Sequence, residues 1–315
     1  MNSTGRLDGL TDAFSKNVIA FALGFIINCI NAAFVYTYFK NQVFQQDPRY
    51  VLYIHLVIND MIMLTLSVTL QIITYTLPVN LASCCIMLII LVTINSPLNL
   101  AGMAVERYIA VCRPLHHAQI CTAQRAYALI ALIWGISFIP SITDVIIILA
   151  TQPLSAFSRS IICYPSYVHN TQYHKTQNVV VQVLLFSFVF LTLIITYLKV
   201  LCTARTVSGS NQASARNARN TILLHGVQVL IYMLTFISPF VKLSLVTAWP
   251  HERTKILFTT FLFVNVLPRL LSPLIYGVRD KKFSSHMRRH IRCKCCSSVQ
   301  KRVNLIGPQR RAKQG

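Results

Sequence analysis

Long apolar runs alternate with shorter polar and basic stretches along the chain. A helix crosses the hydrocarbon core of a bilayer in roughly 20 residues, and lipid favours helices because they satisfy their own backbone hydrogen bonds. The pattern therefore predicts an all-α membrane protein, a seven-transmembrane helix bundle. The predicted spans cover residues 17–39, 50–76, 81–108, 126–149, 176–198, 221–247 and 255–276.

The composition agrees with this prediction and excludes a soluble protein. Hydrophobic residues make up 54% of the 315 residues and charged residues only 12%, whereas soluble domains carry about 25% charged residues. A net charge of +21 would by itself suggest a protein that binds nucleic acid. The cations, however, lie between and after the apolar runs, which indicates membrane topology, and no nucleic-acid partner is expected.

The distribution of Lys and Arg predicts how the chain is oriented. Of the cations that flank the predicted spans, 21 lie on one side of the membrane and six on the other. Cytoplasmic flanks carry the excess of Lys and Arg. We therefore expect a multi-pass protein of the plasma membrane with an extracellular N-terminus and a cytoplasmic C-terminus, which requires an odd number of spans.

Two local features fall on the predicted outer side. Asn2 begins an Asn-Ser-Thr triplet and is a candidate glycosylation site. Cys163 is the only cysteine of the predicted outer loop, and two cysteines lie at the outer end of the third span. An oxidising exterior favours a disulfide from Cys163 to Cys85 or to Cys84, and the choice between them is open. Three free thiols that pack as small hydrophobes are the alternative.

Several motifs resemble those of one receptor family. The segment Met103–Leu115, MAVERYIAVCRPL, resembles the MAYDRYVAICxPL signature of odorant receptors, a branch of the rhodopsin-like G-protein-coupled receptors. The segment LSPLIY that ends at Tyr276 resembles the NPxxY motif of the seventh helix, with Ser272 in the place of Asn. Single residues that fit the same family are Asn31, Asp60 and Trp134. The residues in these motifs resemble those of a fish-type odorant receptor more than those of a mammalian one.

The resemblance implies a receptor that binds small odorants in the outer half of the bundle. It would activate a heterotrimeric G protein of the olfactory stimulatory type and raise cyclic AMP. Its parts would be an extracellular N-terminus (1–16), a seven-transmembrane receptor domain (17–278) and a cytoplasmic basic tail (279–315). A membrane transporter and a non-olfactory rhodopsin-like receptor are the alternative functions. No enzyme activity, catalytic residue, metal or cofactor is expected.

The resemblance also implies a switch toward the G protein, formed by Glu106, Arg107, Tyr108 and Tyr276. An unpaired charge in a dry bundle is costly, so the inactive state should pair or cap Arg107. Activation would then free Arg107 to meet the G protein. The alternative is that Glu106 and Arg107 simply face water at the membrane interface.

Depth along the helices predicts a polar layer inside the bundle. At a rise of 1.5 Å per residue, Asp60, Arg269 and Ser96 lie roughly 15, 10 and 18 Å above the inner edge. A charged group at this depth is costly unless it is paired. We therefore predict an ion pair between Asp60 and Arg269, in a polar core that also includes Asn31 and Ser272. In the alternative, Arg269 bonds backbone carbonyls or snorkels.

The expected ligand site lies between the third, fifth and sixth helices. Its third-helix wall contains Ile89, Ile90 and Thr93 and is apolar. No Asp or Glu occurs over residues 61–105, which disfavours an amine ligand anchored on that helix. Lys242 could hold an acidic ligand, or it could snorkel to lipid headgroups.

Basic residues after the seventh span predict a short amphipathic eighth helix that contacts membrane lipid. Three cysteines follow in the basic tail. They are candidates for palmitoylation, with metal binding and free thiols as the alternatives. These residues are Cys293, Cys295 and Cys296.

Overall fold

Membrane-length helices make up most of the structure. The computed structural model describes residues 10–76, 79–92, 95–151, 153–158, 160–161, 163, 172–207, 227, 230–231, 237–238, 241–242, 244–271, 273 and 282–289. Within these residues, five helices are long and apolar enough to cross a membrane. The predicted seven-transmembrane bundle is confirmed, and we number its spans one to seven.

The spans follow the order of the apolar runs. Spans one to five are Leu10–Lys40, Pro48–Thr76, the two pieces Leu81–Val92 and Asn95–Cys112, Ala123–Thr151, and Gln172–Val207. Span six is described at helical positions between 227 and 248. Span seven is Arg253–Phe261, the π-helical turn Leu262–Val266 and a helical continuation to residue 271.

Short elements connect the spans. They are a helix at Gln42–Gln45, a helix at Pro114–Ile120 that we call the loop helix, 3-10 turns at Leu154–Ser158 and Pro250–Glu252, and strands β1 at Val79–Asn80 and β2 at Ser160–Ile161. A helix over residues 282–289, which we call the tail helix, follows span seven.

The observed helices are longer than the predicted spans. Span one begins at Leu10 rather than at residue 17, and span five ends at Val207 rather than at residue 198. Hydropathy marks only the part of a helix that lies in lipid, whereas backbone hydrogen bonding continues until a residue or a turn stops it.

Span four shows that the bundle is polar inside and apolar outside. Its lipid-facing side exposes Ile139, Ile142 and Ile146, whereas its inward side buries Ser141 and Asp144. Ionisable groups within membrane spans face the bundle interior because lipid cannot solvate them. The exposed isoleucines thus identify a lipid surface rather than a misplaced core.

An aromatic cluster joins spans one and two to the tail helix. Phe283 of the tail helix is only 1% exposed, and its ring lies 5.7 Å from Phe34, 5.0 Å from Phe44 and 5.7 Å from Tyr50. Lys282, Arg288 and Arg289 remain exposed on the same helix. The amphipathic character expected of the eighth helix is therefore present in its described residues.

At the other end of the bundle, β1 and β2 form a two-residue antiparallel ladder. Val79 pairs with Ile161 and Asn80 with Ser160. This ladder brings the connection after span four against the start of span three, where Cys84 and Cys163 form a disulfide. We call this the disulfide end, and we call the end that carries Glu106 and Arg107 the ion-pair end.

Candidate functional site

Glu106 is the centre of the ion-pair end. Its side chain is buried, with the residue 5% exposed, although it lies in the last turns of span three. Nε of Arg107 lies 3.6 Å from Oε2 of Glu106, and Nε2 of His117 lies 3.0 Å from Oε1. The two partners therefore approach different oxygens of one carboxylate. Arg107 thus lies beside the carboxylate with its own side chain 27% exposed, and capping in an inactive state stays a prediction.

The loop helix holds His117 in place. Pro114 begins this helix, where its fixed φ is already helical. At the other end, Arg125 of span four donates through Nη1 to the carbonyls of Gln119, at 2.9 Å, and Ile120, at 3.1 Å. These carbonyls would otherwise lack helical partners. The helix is therefore fixed at both ends, and with it the position of the imidazole.

A second ion pair precedes span two. Asp47 accepts hydrogen bonds from the backbone N–H of Arg49, at 3.0 Å, and from its Nε, at 3.0 and 3.1 Å. Burial alone would raise the pKa of the Asp47 carboxyl, but the hydrogen bonds and charge of Arg49 outweigh it, and the pKa is lowered. The charge of Arg107 adds to this lowering, so the two ion pairs belong to one electrostatic cluster.

Cys121 lies beside the same cluster. Burial, and then the negative charge of Glu106, raise the pKa of the Cys121 thiol, while Arg125 lowers it in part. The thiol therefore stays neutral near physiological pH. Tyr108, the last residue of the predicted switch triplet, is partly exposed. Tyr276 lies outside the described residues.

Polar side chains of spans two and three hydrogen-bond one another inside the bundle. Asn59 donates to Ser96 at 2.8 Å, and Ser96 donates to Asp60 at 3.2 Å. Asn31 and Asp60 are both fully buried. In the described part of the chain, both amide atoms of Asn31 lack hydrogen-bond partners. Ser272, the remaining member of the prediction, is not among the described residues.

Arg269 does not pair with Asp60 among the described contacts. Its Nη1 instead donates to the backbone carbonyl of Asn265, four residues earlier. This is the alternative that the sequence left open, a guanidinium on a backbone carbonyl. The physical reason is that this carbonyl belongs to the same helix and needs no partner from another span.

The disulfide end settles the choice between two cysteines. Cys84 bonds Cys163 with a Cα–Cα distance of 5.5 Å, and Cys85, placed first in the prediction, is a buried free thiol. Successive residues on a helix point about 100° apart, so only one of the neighbours can face the loop. Thr74 of span two supports the bridge by donating to the Cys163 carbonyl at 3.1 Å.

The predicted ligand wall is only partly described. Ile89 and Ile90 lie on Leu81–Val92, but their side chains, like the whole of Thr93, lie outside the described part of the structure. Lys242 is exposed on span six. Asn2 and the tail cysteines (Cys293, Cys295, Cys296) also lie outside the described residues. Within those residues, no group of three His, Cys, Asp or Glu side chains could hold a metal ion.

The structure adds contacts that sequence reasoning missed. Trp134 of span four donates to Nε2 of His55 in span two at 2.8 Å, and Asn99 donates to the Leu52 carbonyl at 3.0 Å. The contact of His117 with Glu106 and the burial of Asp144 were also missed. A polar residue within an apolar run was the available signal for His55, Asn99 and Asp144. No sequence signal placed His117 against Glu106, because loop geometry decides that contact.

A seven-span bundle with a buried polar layer and an acid–arginine pair at one end defines a helical membrane receptor. The chain belongs to the rhodopsin family of 7 transmembrane receptors, whose sequence profile matches residues 30–276. The predicted membership of the rhodopsin-like receptors is thereby confirmed.

Individual relatives carry the comparison further. The chain is 28% identical to Odorant receptor 131-2 of Danio rerio over 302 residues, which is 93% of this chain and 92% of that receptor. It is 30% identical to Olfactory receptor 4N5 of Homo sapiens over 210 residues, 60% of each chain. It is also 28% identical to Olfactory receptor 4M1 of Mus musculus over 221 residues, 62% of this chain and 63% of that receptor. The predicted resemblance to odorant receptors is confirmed.

Proposed function

We propose that this chain is an odorant receptor of the plasma membrane that couples to a heterotrimeric G protein and raises cyclic AMP. The observation that carries the proposal is the buried Glu106 carboxylate, which holds Arg107 at 3.6 Å at one end of a rhodopsin-family bundle. Similarity to Odorant receptor 131-2 along almost the whole chain supports an odorant as the ligand.

In this proposal the ion-pair end is cytoplasmic and the disulfide end is extracellular. The excess of Lys and Arg on the flanks of the ion-pair end supports this orientation. A disulfide is stable in an oxidising exterior, which supports it from the opposite end. Asn2 would then be glycosylated, and the tail beyond residue 279 would lie in the cytoplasm with its three cysteines palmitoylated. The domain limits stay at 1–16, 17–278 and 279–315.

The odorant would bind in the half of the bundle nearest the disulfide, against Ile89, Ile90 and Thr93 of span three. Lys242 would attract ligands that carry an acidic group, and its exposure on span six keeps headgroup contact as the competing role. Ligand binding would shift the equilibrium toward a state in which Arg107 leaves Glu106 and contacts the G protein. This G protein would be of the stimulatory type. Tyr108 and Tyr276 would flank this movement.

The test is ligand-evoked cyclic AMP in cells that carry the full chain with different epitope tags at its two ends. A panel of amino acids, bile acids and small carbonyl odorants is applied to the wild type, to Arg107→Ala and to Lys242→Ala. We expect a response of the wild type that Arg107→Ala loses at equal surface density. Lys242→Ala should weaken only acidic ligands.

Two outcomes would overturn the proposal. In one, both tags report the same side of the membrane, which an odd number of spans forbids. In the other, no compound raises cyclic AMP although the receptor reaches the surface. A response restricted to non-odorant ligands would identify a rhodopsin-family receptor outside olfaction.

A further inference from the structure

His117 shares the buried Glu106 carboxylate with Arg107. The imidazole Nε2 lies 3.0 Å from Oε1, closer than the 3.6 Å that separates Arg107 Nε from Oε2. Imidazole is the side chain that gains and loses a proton near physiological pH. One buried carboxylate is therefore held either by two cations or by one cation and one neutral N–H donor.

We propose that His117 is a positioning residue for Arg107, and that a proton on His117 favours the release of Arg107 from Glu106. This inference rests on the proposed function, in which activation requires that release. It makes the output of the receptor depend on the proton concentration at the ion-pair end. The relevant ligand is therefore the proton itself, bound on the side that faces the G protein.

The charges on His117 and Arg107 determine whether a proton favours or opposes the release of Arg107. When the imidazole is neutral, Arg107 carries the full positive charge nearest to a carboxylate that is 5% exposed, and leaving it would strand a buried anion. When the imidazole is protonated, a charge-assisted hydrogen bond still compensates Glu106 after Arg107 has left. Before it leaves, imidazolium and guanidinium repel each other across the same carboxylate.

Linkage converts this difference into a pH dependence. The state without Arg107 binds the His117 proton more tightly, because Glu106 then interacts with the imidazolium alone. By reciprocity, protons stabilise that state. Basal activity should therefore rise as the pH on this side falls, and it should fall as the imidazole loses its proton.

The other ionisable side chains around Glu106 belong to types that do not exchange a proton near neutrality. Three are arginines, a residue type whose guanidinium keeps its charge in proteins: Arg107, Arg125 and Arg49, the last of which also interacts with the charge of Glu106. The pKa of the Asp47 carboxyl is lowered and that of the Cys121 thiol is raised, so the first stays ionised and the second neutral. Among these described groups, His117 is the one imidazole, the side-chain type that gains and loses a proton near physiological pH.

The anchoring of the two partners also differs. The loop helix is fixed by Pro114 and by the Arg125 cap, so that His117 keeps its position. Among the ion pairs of the described residues, Arg107 has no such cap beyond the Glu106 contact, and its side chain is 27% exposed. A change in the charge of the fixed partner therefore acts on the one that can move.

The experiment uses the full chain, purified into lipid nanodiscs, with a purified stimulatory G protein. Basal nucleotide exchange is measured from about pH 7.6 to about pH 6.4, a range that spans imidazole titration. Each rate is divided by the rate of His117→Gln at the same pH, which cancels the pH response of the G protein. His116→Gln is the matched control, because His116 is the exposed neighbour on the same loop helix.

We expect the normalised rate of the wild type and of His116→Gln to rise about threefold toward the lower pH. His117→Tyr supplies a hydroxyl donor to Glu106 that does not titrate in this range. It should restore receptor yield and thermal stability if His117→Gln lowers them, while its normalised rate stays flat. A merely structural role for His117 would change yield and stability but would leave the pH profile of the rescued variant like that of the wild type.

Three results would overturn the inference. A wild-type profile that is flat after normalisation, although exchange is measurable, removes proton coupling and leaves the proposed function intact. Loss of the pH slope in His116→Gln, while the unnormalised rate of His117→Gln keeps the slope of the wild type, assigns the effect to His116 instead. Absence of exchange at every pH, with wild-type and control receptors folded, removes the proposed function and the inference together.

Discussion

At the disulfide end, a covalent bond between Cys84 and Cys163 and a two-residue ladder tie a loop to span three. At the ion-pair end, the contacts are ionic and aromatic, and none of those described is covalent: Glu106 holds Arg107 and His117, and Phe283 packs among rings of spans one and two. Covalent contacts keep one arrangement, whereas ionic contacts exchange partners at moderate cost. The described contacts at the ion-pair end can therefore be exchanged without breaking a covalent bond, whereas those at the disulfide end cannot.

The largest effect in this comparison is expected at Phe283. Phe283→Ala removes a fully buried ring that lies against four other aromatic residues, and it should cost about 3–4 kcal/mol of stability. Thermal unfolding of detergent-purified protein measures the loss. Phe263→Ala is the control, because Phe263 is 62% exposed toward lipid. Equal losses in the two variants would show that the tail helix does not belong to the core.

Next in size is the bridge at the disulfide end. Cys84→Ser should cost about 2–4 kcal/mol, because an open chain gains entropy in the unfolded state. The amount of receptor at the cell surface and its melting temperature should both fall. Cys85→Ser changes a buried thiol that forms no bridge, and it should cost clearly less. A more severe loss in Cys85→Ser than in Cys84→Ser would contradict the pairing.

A smaller effect is expected midway between the two ends. Trp134→Phe removes the donor to His55 while it keeps an aromatic ring against Phe138. The loss of one hydrogen bond should cost about 1 kcal/mol. Trp249→Phe, at a position that is 58% exposed, controls for the change of ring. Unchanged melting of Trp134→Phe would show that spans two and four do not depend on this contact.

The smallest effect concerns acid at the Asp47–Arg49 pair. The folded state lowers the pKa of Asp47, so the carboxylate adds stability above its unfolded value of about 4, and this stability is lost as the pH falls through the folded value. The pair is partly exposed, so the contribution should stay under about 1 kcal/mol. Between about pH 5 and about pH 3, the melting temperature of the wild type should fall more than that of Asp47→Asn. Parallel curves would contradict this assignment.

The sequence predicted the bundle because each span must present about 20 apolar residues to lipid, and this signal survives without any tertiary information. Depth was predictable for the same reason. Asn59, Asp60 and Ser96 lie at one level and do hydrogen-bond one another. The rise per residue gives this level directly from the chain.

The direction in which a side chain points was not predictable in the same way. Arg269 was predicted to pair with Asp60, whereas among the described contacts its guanidinium donates to the carbonyl of Asn265, in the π turn of its own span. Cys84 and Cys85 differ by rotation alone. His117 depends on how the loop helix folds back, which apolar periodicity does not report. The depth of a residue in the membrane can thus be predicted from the sequence, whereas the direction in which its side chain points around the helix axis requires the structure.

Phe283 has a consequence for biosynthesis. Its partners Phe34 and Phe44 leave the ribosome early, whereas Phe283 leaves it more than 200 residues later. Contacts between such distant segments form late, and incomplete membrane or globular chains expose the surfaces that await them. A messenger RNA that ends before codon 283 would give a chain in which the aromatic rings of spans one and two lack their partner. Cellular quality control would therefore have a means of distinguishing finished receptors from truncated ones before export.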